Sequence, residues 1–382
     1  MGAHGCFTGL VRCFQVSEDS SCFATCSNDG TVKLFDCVRM QGKSLTNRSR
    51  LTYNRQEGKI KSITFCQNSD SIAAVGEKSQ SGSIHLFRVD GSSSRPTVLH
   101  ERQLDVKQDG IAVEVTYMDA GSQNVVIYAN ENGSIVGWDL RSPSPYAWKL
   151  QNRVSHGLIT ALDVNPSHCW MAVGTSQGSI ACWDLRFQLP VSVIFHPSAR
   201  RVRRVLATPH KTDSQSGVIA SLQSNNEVSF WDLETRARQK TIWASVAPAL
   251  SEKQVTKHSF HGIYFGRSES NAFLLSAGSD MRIRHWDLTE PSNCFMVAQA
   301  AKDDPVRSPL ASYRSQLIDG TEVLAETYAH AKSERRDVDV PARGYDTPRA
   351  GHRDVITDLN LCKPSQCLMI TSSYDGVVKV WK

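Results

Sequence analysis

The chain has 382 residues, with 43 Lys and Arg against 38 Asp and Glu, so its net charge is only +5. With 40% hydrophobic and 21% charged residues it has the composition of a folded globular chain, which excludes the disordered and collagen-like classes. No apolar run approaches the roughly 18 residues of a membrane helix, and the opening MGAHGCFTGL lacks a secretory signal, so a cytosolic chain is expected. Its 11 cysteines, from Cys6 to Cys367, include no C-x-x-C pair. That spacing predicts reduced, mostly buried thiols, with no disulfide framework, metal site or cofactor.

One pattern recurs along the chain: a short apolar strand, a tight polar turn, a second alternating strand, and an aromatic residue often followed by Asp. In chain order the copies read CFATCSNDGTVKLFD, SIAAVGEKSQSGSIHLFRV, VVIYANENGSIVGWDL, WMAVGTSQGSIACWDL, VIASLQSNNEVSFWDL, FLLSAGSDMRIRHWDL and CLMITSSYDGVVKVWK. The aromatic position is Phe35, Phe87, Trp138, Trp183, Trp231, Trp286 and Trp381. Most of these lie about 45 to 55 residues apart, the length of a blade of four antiparallel strands. Length alone would suggest two or three domains; the repeat instead predicts one all-β unit over 1–382, a seven-bladed β-propeller.

Four Trp-Asp pairs, Trp138-Asp139, Trp183-Asp184, Trp231-Asp232 and Trp286-Asp287, resemble WD-repeat signatures, and GHRDVITDL resembles the Gly-His element of that family. In the last blade His352, either Ser373 or Thr371, Asp375 and Trp381 match its buried hydrogen-bonded tetrad by type and order. Blade four keeps His156 and Trp183 but has Gln177 where Asp would sit, which puts its tetrad in question.

Longer phrases narrow the resemblance. FATCSNDGTVKLFD, ACWDLRFQLP, AGSDMRIRHWDL and DGVVKVWK, within a match from about Leu10 to Lys382, resemble the carboxy-terminal propeller of the regulatory subunit of class III phosphatidylinositol 3-kinase. That resemblance implies a non-catalytic scaffold in a complex that makes phosphatidylinositol 3-phosphate for autophagy, endocytosis and endosomal or vacuolar sorting. The implied partners are the lipid-kinase catalytic subunit, Beclin-type coiled-coil subunits and a Rab-type GTPase. The implied location is cytoplasmic and peripheral on endosomal and autophagic membranes, reached through the complex.

The family subunit also carries a serine/threonine kinase-like domain and a helical-repeat region. No stretch here supplies a Gly-rich loop with His-Arg-Asp and Asp-Phe-Gly elements. The chain therefore reads as a fragment, a short gene product or a truncated gene model, without phosphotransfer activity. Two alternatives are a generic WD-repeat adaptor of chromatin, RNA or ubiquitin-ligase complexes, and a fragment of an active kinase subunit.

Two departures from a regular ring are expected. Only Met1 to Thr8 precede the first inner strand, and this Gly-rich, non-alternating segment predicts a weak or absent clasp on Val377 to Trp381. Between Trp286 and Trp381 the interval is about 95 residues, which marks 289–350 as a long inter-blade insertion, with an ordered part at Tyr313 to Thr327 and a disordered run from Ala329 to Pro348.

Several chemical motifs have a plainer reading. Gly174-Thr175-Ser176-Gln177-Gly178 matches a serine-hydrolase elbow, but its repeat position predicts a hairpin turn without the strand-to-helix context. Gly2 is not a myristoylation site, because position six is Cys6. The sequons at Asn47 and Asn132 count for nothing in a cytosolic chain. His156, His258, His261 and His352 fall at blade entrances, where a structural hydrogen-bonding role is expected. Arg200, Arg201, Arg203 and Arg204 form the densest basic cluster, a candidate protein or phosphate contact. With no interleaved aromatics and so small a net charge, a solvated edge or protein contact is preferred and nucleic acid is not expected.

Overall fold

The computed structural model describes residues 2–6, 9–41, 49–54, 58–78, 81–89, 97–104, 107, 110–119, 124–144, 146–165, 169–208, 217–222, 226–244, 258–268, 271–301, 311–328, 351–363 and 367–382. These form seven sheets, each with four antiparallel strands as a blade of a β-propeller. Their innermost strands are Val11–Val16, Lys59–Cys66, Ala112–Asp119, Ile159–Asn165, Val202–Thr208, Phe260–Arg267 and Ile356–Cys362, for blades one to seven in that order. Each innermost strand packs on those of both neighbouring blades, and blade seven returns to blade one, so the ring closes.

Burial follows from strand alternation: each blade buries both faces, one against each neighbour. A separate apolar cluster fills each of the seven seams. Val11, Phe14, Phe35 and Met40 meet Ile370 and Val378 between blades one and seven, and Ile219, Val228 and Ile242 meet Phe260 and Trp286 between blades five and six. The second and third strands turn back through polar hairpins. In blade three Gly133 has φ +93°, and a Cβ there would stand 2.7 Å from the Asn152 carbonyl oxygen, so no other residue fits this turn without strain.

All seven innermost strands carry a register shift near their start, between Val11 and Cys13, Ile60 and Ser62, Ala112 and Glu114, Ile159 and Ala161, Val202 and Arg204, Phe260 and Gly262, and Ile356 and Asp358. A bulge of this kind re-aims the side chains beside it. Because it recurs at one level, Cys13, Ser62, Glu114, Ala161, Arg204, Gly262 and Asp358 form a layer around the inner wall of the ring.

The expectation of an absent clasp is corrected: four residue pairs, interrupted by one bulge, join the amino-terminal strand to blade seven. Gly2–Cys6 pairs antiparallel with Val377–Trp381, matching Gly2 with Val380, Ala3 with Lys379, His4 with Val378 and, after a bulge, Cys6 with Val377. Side-chain alternation was the wrong criterion, since an edge strand is completed by backbone N–H and C=O groups, which a Gly-rich segment also supplies.

Within the insertion, Ala311–Ile318 and Thr321–Tyr328 form a hairpin. Thr321–Tyr328 runs parallel to Arg238–Ala244, the fourth strand of blade five, making a six-stranded sheet. The hairpin thus follows blade six in sequence yet docks on blade five. The run from Ala329 to Pro348 lies outside the described residues.

Candidate functional site

The Trp-Asp pairs have two separate jobs. The Asp of each caps the turn that follows: Asp139 accepts from the Arg141 N–H, Asp184 from Arg186, Asp232 from Glu234 and Asp287 from Thr289, at 2.8 to 2.9 Å. Such Asx turns lead the chain from third to fourth strand. Asp287 accepts from four residues: burial would raise its carboxyl, but bonds from Glu290, Asn271, Thr289 and Asn293 hold it down to about 2.

The Trp faces the strand before it, and its ring N–H needs an acceptor there. In blade seven Trp381 Nε1 donates to Thr371 Oγ1 at 2.9 Å, and Thr371 donates to His352 Nε2 at 2.7 Å. His352 Nδ1 donates in turn to Asp375 Oδ2 at 3.4 Å. Thr371, not Ser373, is therefore the tetrad hydroxyl; Ser373 Oγ donates to the Asp354 carbonyl. Burial holds His352 below the usual histidine range although Asp375 opposes this, so the ring is neutral and can accept at Nε2. Trp286 of blade six likewise donates to Ser276 at 2.8 Å.

In blades four and five the chain is broken. Trp183 pairs with Met171 and Trp231 with Val218, as Trp381 pairs with Met369 and Trp286 with Leu274. Two residues beyond those partners, where blades six and seven hold Ser276 and Thr371, stand Val173 and Ala220. Trp183 Nε1 and Trp231 Nε1 are accordingly buried without a partner. Blade five instead builds a cluster that sequence reasoning missed: His196 Nε2 lies 3.1 Å from Glu227 Oε1, which also accepts from Ser229. Burial would raise Glu227, but these bonds hold it below the ordinary carboxylate range.

Blade six is tied to the insertion. Arg284 is 2.7 Å from Asp280 and 2.8 Å from Glu326 of the hairpin, and the Arg284 and Glu326 side chains are 2% and 0% exposed. Tyr313 of the same hairpin donates to Glu326 and lies edge-on to Trp286, with centroids 5.4 Å apart. The only hint in the sequence is an arginine in an alternating strand next to a Trp-Asp pair.

The arginine cluster divides. Arg201 is exposed. Arg203 is half-buried beside it, and burial, then Arg201, lowers its pKa. Arg200 packs its backbone against Gly178. Arg204 turns to the inner wall, 3.6 Å from Asp358 and near Glu114 and Asp163. It reaches past blade six where that layer holds Gly262, a residue with no side chain to block it. The three carboxylates also stitch blades together: Asp163 accepts from Ala207 N–H and Asp358 from Phe14 N–H, while Glu114 accepts from the Leu162 backbone. Burial outweighs these bonds, pushing Asp163 up to about 6 and Glu114 up to about 7.

Of the other histidines, His261 is pulled down to about 4 by burial and Arg203. His258 faces Ser279 at 3.5 Å, and His156 packs edge-on to Phe195. Ser176 accepts from Leu158 N–H in a hairpin turn between Trp170–Thr175 and Ser179–Asp184. Among the described residues no cluster of His, Cys, Asp or Glu could hold a metal ion, and no helix is long and apolar enough to cross a membrane.

Two open surfaces stand out among the described residues. Between blades two and three a groove of about 590 Å³ is lined by His100, Arg102, Trp138, Leu140, Arg141 and Pro143. On the rim of blade four Phe187, Leu189, Val191 and Phe195 are each 59 to 70% exposed. This last strand, Leu189–Phe195, carries no charge, whereas its counterpart in blade two, Val98–Leu104, carries Glu101 and Arg102.

Closed ring, repeated capped turns and Trp-centred hydrogen bonds define a WD-repeat β-propeller. Family models agree: one described as "WD domain, G-beta repeat" matches residues 2–36 and 347–382, and one for the N-terminal domain of nucleolar protein 10-like proteins matches 107–274. The chain is similar to a probable serine/threonine-protein kinase vps15 of Dictyostelium discoideum, 41% identical over 58% of the chain and 11% of that protein. It is also similar to serine/threonine-protein kinase VPS15 of Arabidopsis thaliana, 26% identical over 97% of the chain and 28% of that protein. A putative VPS15 of Komagataella pastoris is 22% identical over 98% of the chain and 30% of that protein. The chain is thus a WD-repeat propeller similar to part of these VPS15 proteins, and it spans less than a third of their length.

Proposed function

We propose that this propeller is a scaffold of the class III phosphatidylinositol 3-kinase complex, holding the lipid-kinase catalytic subunit and Beclin-type coiled-coil subunits, with a Rab-type GTPase as a further contact. The observation that carries this reading is the similarity to VPS15 proteins along nearly the whole chain, joined to the sequence resemblance to the regulatory subunit. A rigid ring with capped turns on its faces offers several independent surfaces of standard interface size. The uncharged, exposed strand of blade four is a surface of the kind that partner proteins cover. In this role the chain works in the cytoplasm, on endosomal and autophagic membranes through the complex, and supports phosphatidylinositol 3-phosphate production for autophagy and sorting.

Affinity purification of the tagged propeller from cells tests the proposal. Recovery of a lipid kinase together with a coiled-coil subunit supports it. Recovery of chromatin, RNA-processing or ubiquitin-ligase subunits in their place overturns it.

A further inference from the structure

Cys13 belongs to the layer that follows the seven bulges, with Glu114, Arg204 and Asp358. Its partner across the ladder is Cys26, and the two Sγ atoms are 2.7 Å apart. A disulfide needs about 2.05 Å, so the sulfurs have to close by about 0.7 Å. Cys37 and Cys362 form a second thiol pair at 3.1 Å in the seam between blades one and seven, but both are fully buried. Cys13 is half-buried, so one member of the first pair is within reach of a small oxidant.

We propose that Cys13 and Cys26 are an oxidation site at which hydrogen peroxide forms a cross-strand disulfide in blade one. The Cys13 thiolate attacks one peroxide oxygen, the O–O bond breaks, and the departing hydroxide takes a proton to leave as water. The resulting sulfenic acid is attacked at sulfur by Cys26, the S–O bond breaks, and the second hydroxide takes the Cys26 proton. Two thiols and one peroxide become one disulfide and two waters. The two strands are already paired, so the bond forms within the existing ladder.

The groups facing Cys13 set its rate. The hydrogen-bonded Cys26 thiol, burial, and the Asp358 and Glu114 carboxylates hold the Cys13 thiol well above its ordinary range, while the Arg204 guanidinium acts in the opposite direction. Oxidation is therefore slow at neutral pH and speeds up as pH rises.

The test uses the 382-residue chain with Cys367→Ser, because Cys367 is an exposed thiol that would consume oxidant. The reduced protein is treated with hydrogen peroxide, alkylated and digested without reduction for mass spectrometry. The expected result is a linked pair of peptides carrying Cys13 and Cys26, an intact mass lower by two hydrogens, and reversal by dithiothreitol. With Cys26→Ser added, Cys13 stops at the sulfenic acid and is trapped by a dimedone reagent. If that variant does not fold, the linked-peptide result in the Cys367→Ser protein decides alone. Absence of the Cys13–Cys26 link after peroxide, or preferential joining of Cys37 to Cys362, overturns the proposal.

Discussion

Blades six and seven and blades four and five carry a Trp at the same repeat position, but only the first two complete the hydrogen bond from the Trp ring. Trp286 and Trp381 find Ser276 and Thr371; Trp183 and Trp231 face positions filled by Val173 and Ala220. The Trp is therefore kept in all four blades mainly for the area it buries, and the tetrad is an addition where a hydroxyl stands across the ladder. The Asp that follows the Trp in blades three to six, by contrast, works alike in each, because its partners include backbone N–H groups that any sequence provides.

The sharpest way to break this comparison is in blade six. Arg284→Met leaves Glu326 and Asp280 buried beside one another without their cation, and the expected loss is about 3–5 kcal/mol in urea unfolding. Arg186→Ala, which breaks the exposed pair of Arg186 and Asp184 in blade four, should leave the unfolding midpoint nearly unchanged. Equal losses would mean that the buried ion pair of Arg284 with Glu326 adds nothing to the docking of the insertion hairpin.

Next in size, Thr371→Val in blade seven strands the Trp381 N–H and the His352 Nε2 acceptor, an expected cost of about 1–3 kcal/mol. An unchanged unfolding midpoint would show that the tetrad is dispensable there, as it is in blade four.

A graded effect separates the acids of the two regions. Burial raises Asp163 to about 6 and Glu114 to about 7, against about 4 in the unfolded chain. The folded state then holds protons that the unfolded state has released, so this contribution to stability is present below about pH 4 and is lost as pH rises through 6 to 7. Asp287, held to about 2, gives the opposite slope, its contribution being lost as pH falls toward 2. Thermal unfolding across pH 4–8 should show Asp163→Asn flattening the decline; an unaltered profile refutes it. The smallest expected change is a gain: Val173→Thr offers Trp183 its missing acceptor and should add up to about 1 kcal/mol, read as a raised midpoint.

Much of this site was legible locally. The Trp-Asp positions, the turn at Ser176 and the pattern of seven copies all follow from spacing and alternation within stretches shorter than a blade. Whether a tetrad closes was also written in the sequence, as Thr371 and Ser276 against Val173 and Ala220, once the ladder register is known. The cluster of His196 and Glu227 was missed because its members are separated by a strand pair and match no repeat position. Arg204 was grouped with Arg200, Arg201 and Arg203 because neighbours in sequence look like neighbours in space, although the bulge after Val202 sends it to Asp358.

The sequence by itself determined the architecture, since a two-residue alternation broken by turns every few residues leaves a ring of small sheets as the way to bury both faces. Only the tertiary structure decided where the ring's irregular parts go. Gly2–Cys6 completes blade seven, and the insertion hairpin passes back to blade five and neutralises an arginine of blade six. Both joints depend on open strand edges and buried charges far away along the chain. Backbone pairing has no side-chain pattern to announce it, and a buried charge names its partner only when the two are brought together.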